Sequence, residues 1–252
     1  MKEAIISVND LQISTDMFLR YGRITGQLKE LVDGVINTLL IEAGAKEAGI
    51  TVSDEELQAE ADRFRSQLGL YSAKDTGEWL KALDLNIEDL ESFCNGTVLS
   101  SKLCNALFAD KAEEYFTVNK LNFDKAEVSQ MVVAEESLAK ELLLQLKEGE
   151  SRFADLAKDY SLDKANGRLG GYTGWVSRES LGSSFAGAIF SAVPGEIVGP
   201  VETDEGYHLV MVHDIYHAEF SDDIKDTVMK RLMNHWLDEQ RGKAVIKKGS
   251  DI

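Results

Sequence analysis

Ile24, Leu28, Leu31, Val32, Val35, Ile36, Leu39, Leu40 and Ala43 fall at three- and four-residue steps, and Gly49 follows as a C-terminal stop. Residues 24–48 therefore read as an amphipathic helix with a broad apolar face. Ser53 with Glu56 three residues on forms a capping-box pattern, in which the hydroxyl accepts a free backbone N–H while the carboxylate reaches back. Leu57, Ala61, Phe64 and Leu68 continue the stripe, so a second helix is expected from about Asp54. Asn86 caps a further segment in which Leu90, Phe93, Cys94, Thr97, Val98, Leu103, Leu107 and Phe108 keep roughly helical spacing, and Tyr115 and Phe116 close the region. The first 120 residues are expected to be all-helical.

At Glu127 the period changes. VSQMVV is a short β-branched run suited to a buried strand, after which Leu138, Leu142, Leu143 and Leu146 mark a helix ending at Gly149. Phe153 to Tyr160 reads as another short helix, the glycines at 167, 170, 171 and 174 as a loop, and Phe185 to Phe190 as a further helix. Pro194-Gly195 is a turn and YHLVMVHDI an alternating final strand. From Ser221 to about Lys243, Ile224, Val228, Leu232, Trp236 and Leu237 define one more amphipathic helix, whose apolar face needs a partner.

A length of 252 residues with 44% apolar content supports a substantial core and two domains. The formal charge of −17 divides as 12 basic against 22 acidic side chains over 1–124, 8 against 15 over 125–217, and 7 against 7 over 218–252. No segment offers a basic footprint for nucleic acid or anionic lipid. The opening MKEAIISVNDLQIS has no apolar run long enough for a signal peptide or a membrane span, so a cytoplasmic location is expected, without membrane insertion. Cys94 and Cys104 stand ten residues apart with no second pair and no nearby histidine, which supports neither a zinc site nor a disulfide framework. His213 and His217 lack an acidic partner spaced for a metal, so no metal and no cofactor is expected. The nucleophile-elbow, dinucleotide, phosphate-loop and zinc-protease motifs are all absent.

What remains is an ordered set of motifs in FADLAKDYSLDKANGRLGGYTGW and SSFAGAIFSAVPGEIVGPVETDEGYHLVMV: YS-x-D, a GG pair before GW, F-x-x-x-x-F-S, PGEIVGPV and T-x-x-GYH. Over roughly residues 127–216 this set resembles the catalytic core of the parvulin family of peptidyl-prolyl isomerases. The resemblance implies an α+β chain. Residues 1–124 would form a helical peptide-binding domain and 125–217 a parvulin-like antiparallel sheet with flanking helices. Residues 218–252 would be a C-terminal helix completing the first domain, an order similar to that of SurA-type chaperone isomerases. The implied function is isomerisation of X-Pro bonds in unfolded or proline-containing polypeptides, as a foldase or chaperone. The alternative is a non-catalytic peptide-binding chaperone, or an adaptor for peptide maturation or export.

Twisting a peptide bond costs about 18–20 kcal/mol, and neither nucleophile nor cofactor is needed to lower that barrier. A dry apolar cup for the proline ring, with polar groups that favour the twisted amide, suffices. The family's polar cluster carries over to Asp163, Thr203 and His208, while its first-strand histidine is replaced here by Gln130, which hydrogen-bonds but does not take up a proton as imidazole does. The resemblance carries the proline cup over to Phe185, the best preserved of its residues, to Leu181, where the family commonly has methionine, and to Thr173, where it usually has leucine. On pattern alone Asp163 equally suits a turn aspartate accepting backbone N–H groups, and His208 a structural strand histidine. Phe185 equally suits the core of its helix, and Leu181 a helix-start contact.

Overall fold

The computed structural model describes residues 4–247 and Gly249. The chain divides into two compact units. One runs up to Ala112 and resumes at Asp226; the other is Glu113–Lys225.

The first unit opens with an antiparallel hairpin, β1 (Ala4–Val8) and β2 (Leu11–Ser14), which corrects the all-helical expectation for this region. Its turn is Asn9-Asp10, with Asn9 at φ 54°, the left-handed conformation asparagine tolerates best among residues with a side chain. The hairpin runs into α1 (Thr15–Ile24), capped by Ser14, whose Oγ accepts the Met17 N–H. Thr25 and Gly26 then break the chain, Gly26 at φ 79°, so the long helix α2 spans Gln27–Glu47 and Ile24 belongs to α1. Next come α3 (Asp54–Gln67), α4 (Ala73–Ala82) and α5 (Ile87–Phe108), each opened by a reciprocal capping box at Ser53, Ser72 and Asn86.

Two apolar clusters hold this unit. Leu80, Leu90 and Cys94 pack with Leu57, Ala61, Phe64 and Trp79. Leu103, Phe108, Leu40 and Ile41 pack with Met233, Leu237, Leu232 and Trp236 of the final helix, α11 (Asp222–Lys243). The Trp236 ring lies over Gly44 of α2, where an added Cβ would stand 2.7 Å from Cη2. Arg241 finishes the contact, donating to Asp33 Oδ1 at 2.9 Å and Asn37 Oδ1 at 2.8 Å. No helix among the described residues is long and apolar enough to cross a membrane.

The second unit begins with the body of α6 (Ala112–Asn119) and holds an antiparallel sheet of β3 (Lys125–Val133), β4 (Tyr172–Ser177), β5 (Ile197–Thr203) and β6 (Gly206–Tyr216), in the order β4-β3-β6-β5. Helices α7 (Glu136–Glu148) and α8 (Phe153–Tyr160) cover the face of Met131, Val133 and Leu209. Helix α10 (Ser183–Phe190) covers the face of Ala126, Val128, Val210 and Val212. Asp124, 1% exposed, sits where the chain enters the sheet. Its Oδ1 accepts the Ala218 N–H at 2.9 Å, its Oδ2 lies 3.1 Å from His217 Nδ1, and its carbonyl accepts the Arg178 N–H. His217 is thus engaged by Asp124, and His213 by Ser129 Oγ at 2.8 Å.

Candidate functional site

β5 and β6 are joined by the two residues Asp204 and Glu205, with Thr203 paired to Gly206. Gly206 sits at φ 129°, and a Cβ there would come 2.5 Å from Val133 O, so only glycine fits. Thr203 Oγ1 accepts the Glu205 N–H at 3.2 Å and lies 2.7 Å from His208 Nε2. The T-x-x-G-Y-H pattern is therefore a hairpin turn whose threonine also anchors the imidazole two residues past the turn glycine.

His208 is 4% exposed on the central strand β6, opposite Val132 of β3 and Val201 of β5. Burial pushes its pKa below the ordinary histidine value, against the opposing pull of the Glu205 carboxylate. The ring is thereby kept neutral near pH 7. Its Nδ1 is buried with no hydrogen-bond partner. The Phe185 ring of α10 stands 5.2 Å from the His208 ring, tilted by 60°. Phe185 and Leu181 are half-buried and pack on the same apolar cluster, so an aromatic wall, an aliphatic neighbour and a neutral imidazole with a spare nitrogen converge.

Register brings in Gln130. Its partner on β6 is Val210, one alternation along from the Val132–His208 pair, so Gln130 and His208 point to the same face of the sheet. Gln130 is half-buried, and its N–H donates to Gly171 O at 2.8 Å. The GG pair lets this loop press onto neighbouring chain. A Cβ on Gly171 would come 2.5 Å from Gln130 O, and one on Gly170 would come 2.8 Å from Ala154 Cβ.

The YS-x-D segment lies on the other side of Val132. Ser161, fully buried, accepts the Val132 N–H at 3.3 Å, and Leu162 donates to Val132 O at 2.7 Å. The Leu162 backbone is thus about two strand spacings, ~10 Å, from that of His208. Asp163 caps the short helix α9 (Lys164–Arg168), its Oδ1 accepting the Ala165 and Asn166 N–H groups, both at 3.1 Å. That is the turn-aspartate geometry left open by the sequence.

Thr173 is the extra residue of a bulge, because Tyr172 pairs with Ser129 and Gly174 with Val128. It is exposed, and its hydroxyl donates to Gly171 O at 3.2 Å. The structure thus brings together Phe185, Leu181, His208 and Thr203, sets Gln130 on their face, and gives Asp163 and Thr173 local backbone partners. Sequence reasoning passed over Ser161, which fixes the loop to β3. It also passed over Leu162 and Leu169, exposed apolar residues flanking α9. The signal for Ser161 was its place in the YS pair; nothing in the spacing marked the two leucines.

Residues 120–214 match the family model of the PPIC-type peptidyl-prolyl isomerase, or rotamase, domain. The foldase protein PrsA of Halalkalibacterium halodurans is 29% identical over 246 residues, covering 90% of this chain and 70% of that protein. The foldase protein PrsA of Geobacillus kaustophilus is 27% identical over 239 residues, covering 94% and 79%. A third, from Caldanaerobacter subterraneus, is matched over 63% of its length. The crystal structure of the peptidylprolyl isomerase PrsA from Bacillus anthracis shares the fold, with a TM-score of 0.50 at 22% identity over 87% of this chain and 100% of that one.

Proposed function

Because the chain belongs to the parvulin-type peptidyl-prolyl isomerases, we propose that it turns X-Pro bonds of unfolded polypeptides in the cleft where Phe185 faces His208. The observation that carries the reading is that ring contact, 5.2 Å between centroids, with His208 Nε2 held by Thr203 and Nδ1 left without a partner. Phe185 and Leu181 receive the prolyl ring, which stays fixed while the preceding carbonyl rotates. Rotation removes amide resonance, so the prolyl nitrogen regains its lone pair at the twisted geometry. A polar group that favours that geometry over the planar one accelerates the step; one that binds both equally does not.

His208 serves as such a group in its neutral form, since a cation in this half-apolar cleft would be strongly disfavoured. Thr203 holds its orientation. Gln130 offers an amide to the same space without a charge change. Asp163 acts as a positioning residue, fixing through its cap the loop whose Leu162 N–H reaches Val132 O of β3.

The test is a protease-coupled assay on a short X-Pro peptide, with thermal unfolding measured beside it. Phe185→Ala should lower the catalysed rate at least about tenfold, matching the loss of more than ~1.4 kcal/mol of apolar contact with the ring. Unchanged activity per folded molecule would remove Phe185 from the site.

Gln130, standing where the family has histidine, favours one further reading, a non-catalytic module that presents peptides. Gln130→His separates the two. A measurable wild-type rate that rises in the variant supports the isomerase. Peptide binding with both proteins at the uncatalysed rate supports the adaptor.

A further inference from the structure

The antiparallel sheet is covered unevenly on the side that faces away from His208. There α7 and α8 pack over Met131, Val133 and Leu209, with Met211 partly buried against the same cluster. Farther along the strands Tyr172 and Trp175 of β4 and Tyr216 of β6 stand 49%, 50% and 48% exposed. Register sets Trp175, Glu127 and Asp214 abreast in one rung across β4, β3 and β6. Ala126 and Val128, on either side of Glu127, belong to the α10 cluster, so alternation turns this rung away from Phe185 and His208.

Three observations on this open half-face point to a cation. Glu127 and Asp214 are directly opposed, and like charges so placed destabilise a sheet. Among the described residues no lysine or arginine ion-pairs with either carboxylate. Lys125 belongs to the next rung, opposite Ser177 and Tyr216. Second, the Tyr172 hydroxyl donates to Glu127 Oε1 at 2.6 Å. A phenol bonded to a carboxylate carries more electron density on its ring, which strengthens the pull on a cation. That ring lies beside Gly174, where an added Cβ would stand 3.9 Å from Cε1. Third, Trp175, the side chain type that holds cations best, is half-exposed directly opposite Glu127.

Of the cationic side chains, arginine fits both parts of the site, since its planar guanidinium stacks on aromatic rings and donates in a fork to carboxylate oxygens. β4 is also an edge strand of the sheet, so an extended chain has room to run beside it. We infer that this half-face binds an arginine side chain of an extended polypeptide, the guanidinium stacked on Trp175 and Tyr172 and shared between Glu127 and Asp214. The surface lies on the opposite side of the sheet from the isomerase cleft and does not depend on that reading.

Fluorescence anisotropy on the full chain tests it, with a dye-labelled, proline-free glycine–serine peptide carrying two arginines. Its twin carries citrulline, which keeps the shape and removes the charge. Glu127→Gln and Asp214→Asn are isosteric, and Trp175→Leu keeps an apolar side chain, with circular dichroism checking that each folds. The arginine peptide should bind wild type about tenfold or more tighter than the citrulline twin. Each variant should weaken arginine-peptide binding about five- to tenfold, with the isomerisation rate on a short alanyl-prolyl peptide unchanged. Equal binding of the two peptides overturns the inference, as does an arginine peptide that fails to bind wild type. So does unchanged affinity in Glu127→Gln and Asp214→Asn, which decides the matter even if Trp175→Leu does not fold. Loss of binding in Phe185→Ala would place the peptide in the cleft and overturn it too.

Discussion

At the scale of single residues, His208 makes the stability of the isomerase unit depend on pH. Its folded pKa lies below the unfolded value, so between the two the unfolded chain binds more protons. The contribution is complete above about pH 6.5, shrinks as pH falls through that value, and levels off below the folded pKa. Melting temperatures of wild type and His208→Asn, compared at mildly alkaline and mildly acidic pH, should show a smaller acid loss in the variant. Thr203→Val, which removes the hydroxyl 2.7 Å from Nε2, should cost about 1–3 kcal/mol and lower the isomerisation rate, read by denaturant melts and the coupled assay.

Individual roles were only partly legible before the fold. His208 and Thr203 could be placed because one two-residue turn links them, and a turn is a local matter. Asp163 could not be assigned, since a cap and a catalytic carboxylate ask for the same residue type in the same loop. Thr173 aligned with the cup but entered a bulge, and a bulge shows only when two strands are laid side by side.

At the scale of elements, caps and stripes were readable and the β1–β2 hairpin was not. Ser53 and Asn86 opened helices where their side chains could satisfy free N–H groups. The hairpin escaped because four- and five-residue strands abut a helix and bury too little to leave an alternating signature. Two helix glycines give a sharp test of packing against propensity. Gly77 of α4 has nothing within 4 Å of an added Cβ, so Gly77→Ala should stabilise the protein by about 0.5–1 kcal/mol. Gly44→Ala meets Trp236 at 2.7 Å, and overpacking should outweigh the same propensity gain, a net loss of about 1–2 kcal/mol. Chemical denaturation of the two variants should move the midpoint in opposite directions.

At the scale of the whole molecule, the helical unit is discontinuous in sequence and the isomerase unit is not. The fragment 113–225 should fold alone and retain isomerase activity. A chain cut after Lys225 loses Met229, Met233 and Leu237, all buried, and should lose protection from hydrogen exchange across α2 and α5. Unchanged protection there would mean that α11 adds little to the unit. The sequence marked this helix by its apolar stripe, but no spacing rule names the face it covers; Gly44 and Asp33 became meaningful only with Trp236 and Arg241 against them.

The clasp at Asp124 fixes the two ends of the sheet unit at one place, its carboxylate holding the backbone of Ala218. In the order of synthesis this has a temporal meaning. The inserted unit is self-sufficient once Ala218 has emerged, whereas α2 and α5 wait for a helix encoded after it. At ordinary elongation rates that wait is on the order of 10 s. The usual order is inverted: the middle of the chain matures first, and the beginning last. During that interval the nascent chain is itself an incompletely folded polypeptide with apolar helices uncovered, the kind of substrate proposed for its finished form.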